Sequence, residues 1–303
     1  MKNLFTILFI SLFIFSCDSD SNPMSPVDEC GVSGGDNSTC TDECGIINGP
    51  GLDCNGDCNE NVELWGECYN IQTTTTLFVY SNLESEVEIP PSIGDLINLT
   101  SLVLMDEFIV GEIPLEIGDL VNLSYLKIES QLSGEIPTSI GNLINLEELY
   151  LERNQFTGEI PSSIGNLTNL TELGLFDNRL IGEIPTSISN LQNLTYLNLS
   201  DNQLSGEIPV SLMDMVNLTG LNLSNNQLSG EIPSSINNLY NLQILNLYNN
   251  QLSGEIPESI LKMLNLEGLG LYSITLRNNM FSGIIFDEIC DYDNLILHLE
   301  NNS

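Results

Sequence analysis

Few residues of this 303-residue chain have types and spacings suited to catalysis. The chain has one histidine, His298, which stands between two leucines close to the end of the sequence. The sequence contains no nucleophile elbow, no pair of metal-ligating histidines and no phosphate-binding glycine loop. We therefore expect that the protein is not an enzyme.

Carboxylates dominate the charge of the chain, with 42 Asp and Glu against 6 Lys and Arg, and a formal net charge of −36. A surface this acidic repels phosphate backbones, which excludes nucleic acid as a partner. Two interpretations of the charge remain open. It keeps the protein soluble in salt-rich surroundings, or it favours cationic ligands and divalent ions.

The first residues have the pattern of a secretion signal. Lys2 precedes an apolar run, residues 4–15, that is too short to cross a bilayer as a helix. The run ends in Phe15-Ser16-Cys17, which resembles the bacterial lipobox. That resemblance implies a lipoprotein signal peptide at residues 1–16, a lipid on Cys17 and a linker at 17–29. We expect a lipid-anchored location in the bacterial envelope, at the outer membrane or cell surface. Ordinary signal cleavage, with Cys17 an incidental thiol, is the alternative.

A dense group of six cysteines lies within residues 30–68, at Cys30, Cys40, Cys44, Cys54, Cys58 and Cys68. An even, dense cluster in an exported chain predicts a disulfide framework. The alternative is a zinc site, because Cys40/Cys44 and Cys54/Cys58 have the spacing of two ligand pairs.

Oxygen-bearing side chains alternate around a glycine in the same segment, at Asp53, Asn55 and Asp57. Calcium loops collect carboxylate and amide oxygens in this way. A solvated turn closed by disulfides is the alternative. Calcium is the one cofactor that the sequence suggests.

A Gly-Glu-Ile-Pro block recurs at intervals of 24 residues, once 23 and once 29 when the degenerate last copy is included; the seven intact blocks begin at Gly111, Gly134, Gly158, Gly182, Gly206, Gly230 and Gly254. A fixed period of this length indicates a stack of small units, each of which buries its apolar face only against its neighbours. About nine to ten copies fill residues 69–303.

The cleanest copy, residues 217–233, carries Leu218, Leu221, Leu223, Asn226 and Leu228 ahead of its Gly-Glu-Ile-Pro block. It resembles the leucine-rich repeat of the plant-receptor type. The resemblance implies an α/β solenoid with a parallel β-sheet on the concave face and short helical turns outside.

The segment Trp65-Gly66-Glu67-Cys68 is similar to an element of the N-terminal cap on such ectodomains. That likeness assigns residues 30–68 to a disulfide-rich segment and cap, and it implies a Cys58–Cys68 disulfide.

Each repeat position has its own predicted role. The period-2 alternation turns Leu221 and Leu223 inward and Asn222 outward. We expect a recurrent asparagine to satisfy backbone groups inside the coil; its copies are Asn154, Asn178, Asn202, Asn226, Asn250 and Asn279. The Glu of each block forms a row that is either solvated or takes up calcium or magnesium.

The outward strand positions differ between copies, and several carry aromatic or charged residues, Glu148 among them. The predicted ligand-binding residues on the concave face are Tyr125, Lys127, Glu129, Tyr150, Glu152, Arg153, Phe176, Asp177, Tyr196 and Tyr248. Aromatic side chains ringed by polar groups commonly anchor binding surfaces. Plain β propensity of tyrosine is the alternative. We expect a protein, peptide or glycan ligand, and a membrane contact through the lipid anchor only. The rival hypothesis is a structural adhesion or matrix protein with calcium-dependent acidic rows.

Two copies are irregular. The copy with the 29-residue interval contains a second strand-like segment, Ile274 to Leu276, which we expect to bulge from the stack or to double the strand. The last copy ends at Ser303 without a polar cap, which suggests a truncated C-terminal cap.

Overall fold

The computed structural model describes residues 60–80, 83–264, 273–282, 296–298 and 302, all within one compact unit, Asp53–Ser303. The predicted signal peptide and linker, Cys17 and the predicted calcium ligands lie outside the described residues, as do Cys30, Cys40, Cys44, Cys54 and Cys58. Within the described ranges, no helix has the length and apolar character needed to cross a membrane.

Short strands make up most of the regular structure. In chain order they are β1 (Asn61–Leu64), β2 (Glu67–Asn70), β3 (Thr76–Tyr80), β4 (Val87–Glu88), β5 (Ser101–Met105), β6 (Ile109–Gly111), β7 (Tyr125–Ile128), β8 (Gln131–Leu132), β9 (Glu148–Tyr150), β10 (Glu172–Gly174), β11 (Tyr196–Asn198), β12 (Gly220–Asn222), β13 (Ile244–Asn246), β14 (Ser253–Glu255), β15 (Ser273–Thr275), β16 (Met280–Ser282) and β17 (Ile296–His298).

One parallel sheet joins ten of these strands, in the order β3, β5, β7, β9, β10, β11, β12, β13, β15 and β17. The register places equivalent residues of successive repeats side by side, so that Leu221 pairs with Leu197 and Leu245. These leucines are buried, as the alternation predicts. The solenoid fold and its parallel sheet are therefore confirmed.

The long copy adds its second strand-like segment to this sheet. Ile274 pairs with Leu245 on one side and with Leu297 on the other. This segment therefore carries the regular register and does not bulge from the sheet. Residues 265–272 lie outside the described residues, so a doubled strand stays a prediction.

The outer side is built from 3-10 helical turns at Pro91–Asp95, Leu115–Asp119, Thr138–Asn142, Ser162–Asn166, Thr186–Asn190, Val210–Asp214 and Ser234–Asn238, followed by α1 (Ser259–Leu264). The turns pack closely in the first coils. A Cβ on Gly165 would lie 2.4 Å from the carbonyl oxygen of Ser187 in the next turn. Later coils carry Ser189 and Met213 at this position.

The Gly-Glu-Ile-Pro block couples one coil to the next. Gly182 has φ +77°, a conformation that favours glycine. A Cβ there would lie 2.8 Å from Cγ of Glu159, the Glu of the preceding block. The Glu methylenes thus cover the following glycine, and this contact repeats along the flank. The short parallel ladders β4-β6-β8 and β14-β16 run along the same flank.

The recurrent asparagines satisfy the backbone as predicted. Asn202 donates from Nδ2 to the carbonyl of Leu175 at 2.9 Å, and its Oδ1 accepts from Leu180 N at 3.0 Å. Two irregular copies lack this asparagine, and other side chains bond their backbone N–H groups. The short copy has Ser130 at this position, and Asn154 of the next coil accepts its N–H. In the copy before it, the buried carboxylate of Asp106 accepts from Leu83 N and Phe108 N.

An antiparallel hairpin, β1 and β2, covers the first coil. Val62 and Leu64 belong to the core, and Trp65 and Gly66 form the turn with positive φ. Trp65 Nε1 donates to the carbonyl of Glu88 at 2.8 Å. Cys68 is disulfide-bonded. The predicted partner Cys58 lies outside the described residues, so the pairing stays a prediction.

Candidate ligand-binding surface on the concave sheet

The concave sheet presents three columns of side chains: before, between and after the two inward leucines of each strand. In β11 to β13 the middle column is uniform, with Asn198, Asn222 and Asn246. The variation concentrates in β7, β9, β10 and the residues after them. We call this set the central cluster: Tyr125, Lys127, Glu129, Glu148, Tyr150, Glu152, Arg153, Glu172 and Phe176.

A chain of ion pairs crosses two adjacent coils of the central cluster. Lys127 Nζ lies 2.9 Å from Glu152 Oε1 and 3.3 Å from Glu129 Oε2. Arg153 Nη1 lies 2.8 Å from Glu129 Oε1. These pairs neutralise Glu129, Glu152 and the two cations between them, which leaves Glu148 and Glu172 without a cation among the described residues.

The ion-pair network shifts the pKa values of Lys127 and Glu129. Partial burial works to lower the pKa of Lys127, but hydrogen bonds and charge attraction to Glu152 and Glu129 outweigh it and raise that pKa. Partial burial also works to raise the pKa of Glu129, and the hydrogen bonds from Arg153 and Lys127 reverse the effect, so its pKa is lowered. Both groups are therefore charged at neutral pH.

Glu152 differs from the exposed charge expected from the sequence. Its residue is only 5% exposed, and its Oε2 is buried without a hydrogen-bond partner. Lys127 of the preceding coil contacts its other oxygen, and a Cβ on Gly174 of the following coil would lie 3.3 Å from that Oε2. Burying a carboxylate oxygen without a hydrogen-bond partner costs free energy, and a donor placed beside Glu152 Oε2 would reduce that cost.

The Tyr150 hydroxyl lies between two carboxylates. It is 2.5 Å from Glu172 Oε2 and 3.1 Å from Glu148 Oε2. Burial, followed by the hydrogen bonds and charges of Glu172 and Glu148, strongly raises the pKa of Tyr150. The phenol is therefore neutral, and its single proton serves one carboxylate at a time.

Aromatic rings surround these groups. The Tyr125 and Tyr150 rings are 5.9 Å apart, and Lys127 Nζ lies 5.6 Å from the Tyr150 ring centre. Arg153 lies 5.6 Å above the Phe176 ring. The Tyr150 ring also leans over the next strand, where a Cβ on Gly174 would lie 3.0 Å from Tyr150 Cδ1.

Three predicted residues lie at or beyond the edge of the central cluster. Asp177 is exposed with φ 55°, and Tyr196 leans over Gly220. Burial, with a smaller contribution from the Glu172 charge, raises the pKa of Tyr196. Tyr248 lies three coils beyond Phe176, about 14 Å away at the usual strand spacing. The guanidinium carbon of Arg277 lies 4.8 Å from its ring centre. The structure therefore places Tyr248 in a separate contact, away from the central cluster.

Three residues were missed by the sequence analysis. Glu172 completes the carboxylate pair around Tyr150. Phe78 and Tyr80 on β3 form an exposed pair of stacked rings, 6.2 Å apart, at the N-terminal end of the same face. The sequence pattern could have identified Phe78 and Tyr80 as outward strand positions, because Phe78-Val79-Tyr80 follows the same alternation as the strands that were assigned.

The flank of the solenoid that carries the Glu of each Gly-Glu-Ile-Pro block, the acidic flank, differs in geometry from the concave sheet. An open groove of about 1060 Å³ runs along the acidic flank, lined by Glu88, Glu112, Glu135 and the residues around them. Within the described ranges, no three His, Cys, Asp or Glu residues are grouped so that they could hold a metal ion. The groove is built from positions that repeat in every coil, whereas the central cluster is built from positions that vary.

Comparisons with known proteins agree with this geometry. Models of leucine-rich repeats match residues 83–181 (leucine-rich repeat region), 184–228 and 241–263. No curated protein matches the chain.

Solved structures share the fold. A plant peptide hormone receptor in complex with RGF2 is 37% identical over 72% of this chain, with a TM-score of 0.68. The Arabidopsis receptor kinase HAESA ectodomain, in complex with a peptide hormone ligand, is 33% identical over 73% of this chain, with a TM-score of 0.56. The chain spans only 35% and 42% of those two proteins. A plant ice-binding protein is 27% identical, covering 83% of this chain and 78% of its own, with a TM-score of 0.61. The chain is therefore a leucine-rich repeat protein whose repeats resemble those of plant receptor ectodomains.

Proposed function

We propose that the protein is a binding module that holds a peptide or a segment of another protein along its concave sheet, centred on the central cluster. The observation that carries this proposal is the concentration of variable aromatic and charged side chains on the coils of β7, β9 and β10. The Gly-Glu-Ile-Pro blocks of the same coils, at Gly134, Gly158 and Gly182, stay constant. Variable side chains on one face of a constant repeat scaffold are what a recognition surface requires.

The structural relatives support a peptide or protein ligand. The receptor and the HAESA ectodomain named above were both solved as complexes, and the HAESA ligand is a peptide hormone. Partly exposed aromatic rings next to charged groups supply the contacts from which such interfaces gain most of their affinity.

We also propose that Cys17 anchors the module to a bacterial envelope through a lipid. The support is the lipobox-like Ser16-Cys17 after the apolar run. Metabolic labelling of the full chain with an alkyne-bearing palmitate tests it, with Cys17→Ser as the control. Labelling of the Cys17→Ser variant equal to wild type contradicts the anchor.

Selection of random peptides displayed on phage, with the full chain as bait, tests the binding function. We expect enriched peptides whose affinity falls at least about tenfold in Phe176→Ala, the loss typical of an interface anchor. The matched control is Tyr240→Ala, since Tyr240 is 51% exposed outside the concave sheet. No enriched peptide, or equal losses in both variants, contradicts the proposal.

A further inference from the structure

We propose that the concave face holds a subsite for a cationic side chain, a lysine or arginine of the bound peptide, between the carboxylates of Glu148 and Glu172. The inference rests on the proposed function and names the class of ligand residue that the surface recognises. It is carried by the unequal charge balance within the central cluster and by the unpaired oxygen of Glu152.

The charges of the central cluster are unevenly balanced. Lys127 and Arg153 are both engaged by Glu129 and Glu152. Glu148 and Glu172 face each other across the Tyr150 hydroxyl, which has one proton for two acceptors. An ammonium or guanidinium group carries enough donors to serve both carboxylates and cancels their repulsion.

Glu152 Oε2 is unpaired in the space above Gly174, the same space over which the Tyr150 ring leans. Because Gly174 has no side chain, a rotation of the Tyr150 ring opens this space. A ligand cation that takes the place of the Tyr150 hydroxyl between Glu148 and Glu172 displaces the Tyr150 ring, and it thereby also uncovers the space beside Glu152 Oε2.

The net charge of the protein decides which ligand group the subsite favours. The overall charge of −36 attracts basic segments over distances longer than contact range, at low salt most strongly. An anionic peptide would meet uncompensated carboxylates at the centre of the surface. A basic residue is therefore the group that this surface selects.

The test uses the phage-selected peptides and full-length protein. A peptide with lysine and the same peptide with N-acetyl-lysine are titrated against wild type and the Glu148→Gln/Glu172→Gln variant by fluorescence anisotropy. We expect acetylation to weaken binding to wild type about tenfold or more, and to the variant less than about twofold. Glu147→Gln is the matched control, because Glu147 is exposed and immediately precedes Glu148. It should keep the full effect of acetylation.

The outcomes separate the two proposals. Enriched peptides without a basic residue at a fixed position, or an equal acetylation effect in wild type and variant, overturn the subsite while peptide binding stands. No enriched peptide at all overturns both proposals. Thermal unfolding with millimolar calcium should show no shift. A shift that the Glu148→Gln/Glu172→Gln variant loses would make the pair a metal site and overturn the inference. The Glu148→Gln/Glu172→Gln and Glu147→Gln variants are shown to fold when their unfolding temperatures equal that of wild type.

Discussion

Lys127 donates a hydrogen bond of 2.9 Å to Glu152 across adjacent coils, and it is the ion-pair partner that the structure gives to this buried carboxylate. We expect Lys127→Met to destabilise the protein by about 2 kcal/mol, because it leaves a buried charge unpaired. The combined Lys127→Met/Glu152→Leu variant should recover most of that loss. Urea unfolding followed by circular dichroism measures both. Equal losses in the single and combined variants would contradict this account of the pair.

Glu129 makes the stability of the central cluster depend on pH. Its pKa is lowered from 4.5 in the folded protein, so its contribution is complete above that pH and is lost as the pH falls through the lowered value. The unfolding free-energy difference between wild type and Glu129→Gln should stay constant from about pH 6 to about pH 9 and shrink below about pH 4.5. In a Lys127→Met/Arg153→Met background this pH dependence should reverse its sign, because burial then acts alone and raises the pKa of Glu129. A dependence of unchanged sign there argues against the two cations as its cause.

Asn202 links two adjacent coils through its side-chain amide. Asn202→Ala should cost about 3 kcal/mol, since the Leu180 N–H is left unpaired inside the protein and the Leu175 carbonyl keeps only its longer hydrogen bond, from Asn178. The matched control is Asn193→Ala, which removes one exposed hydrogen bond of 2.9 Å to Thr168 and should cost less than about 1 kcal/mol. Chemical unfolding of both variants gives the comparison, and similar losses would refute the structural role of Asn202.

Gly165 sets the spacing of the outer turns. Gly165→Ala should cost about 2 kcal/mol, because the added Cβ meets the backbone oxygen of Ser187, which moves only with its whole coil. Ser189→Ala at the equivalent position of the next coil should be nearly neutral. Thermal unfolding distinguishes them, and a neutral Gly165→Ala would show that the coils separate freely.

Much of the scaffold could be predicted from local sequence. The period fixes the stack, the alternation places Leu221 and Leu223 inward, and the asparagine row follows from the backbone groups that each coil leaves unpaired. These predictions succeed because each depends on a few residues within one repeat.

The central cluster could be predicted only in part. Alternation places Glu152 outward, but its burial depends on which side chains of the neighbouring coils pack against it. Its pairing with Lys127 depends on a register that joins residues 25 positions apart. The contact between Tyr150 and Glu172 has the same origin. Local patterns show which face varies, but the exact partners emerge from stacking.

Photo-crosslinking shows directly whether a peptide lies on the concave sheet. The photoreactive amino acid p-benzoylphenylalanine replaces Phe176 on the concave face in one variant and Ile144, which is 54% exposed outside that face, in another. Each full-length variant is irradiated with a phage-selected peptide and analysed by mass spectrometry. A concave binding surface predicts crosslinks from position 176 and none from position 144. Crosslinks from position 144 with none from position 176 would contradict it.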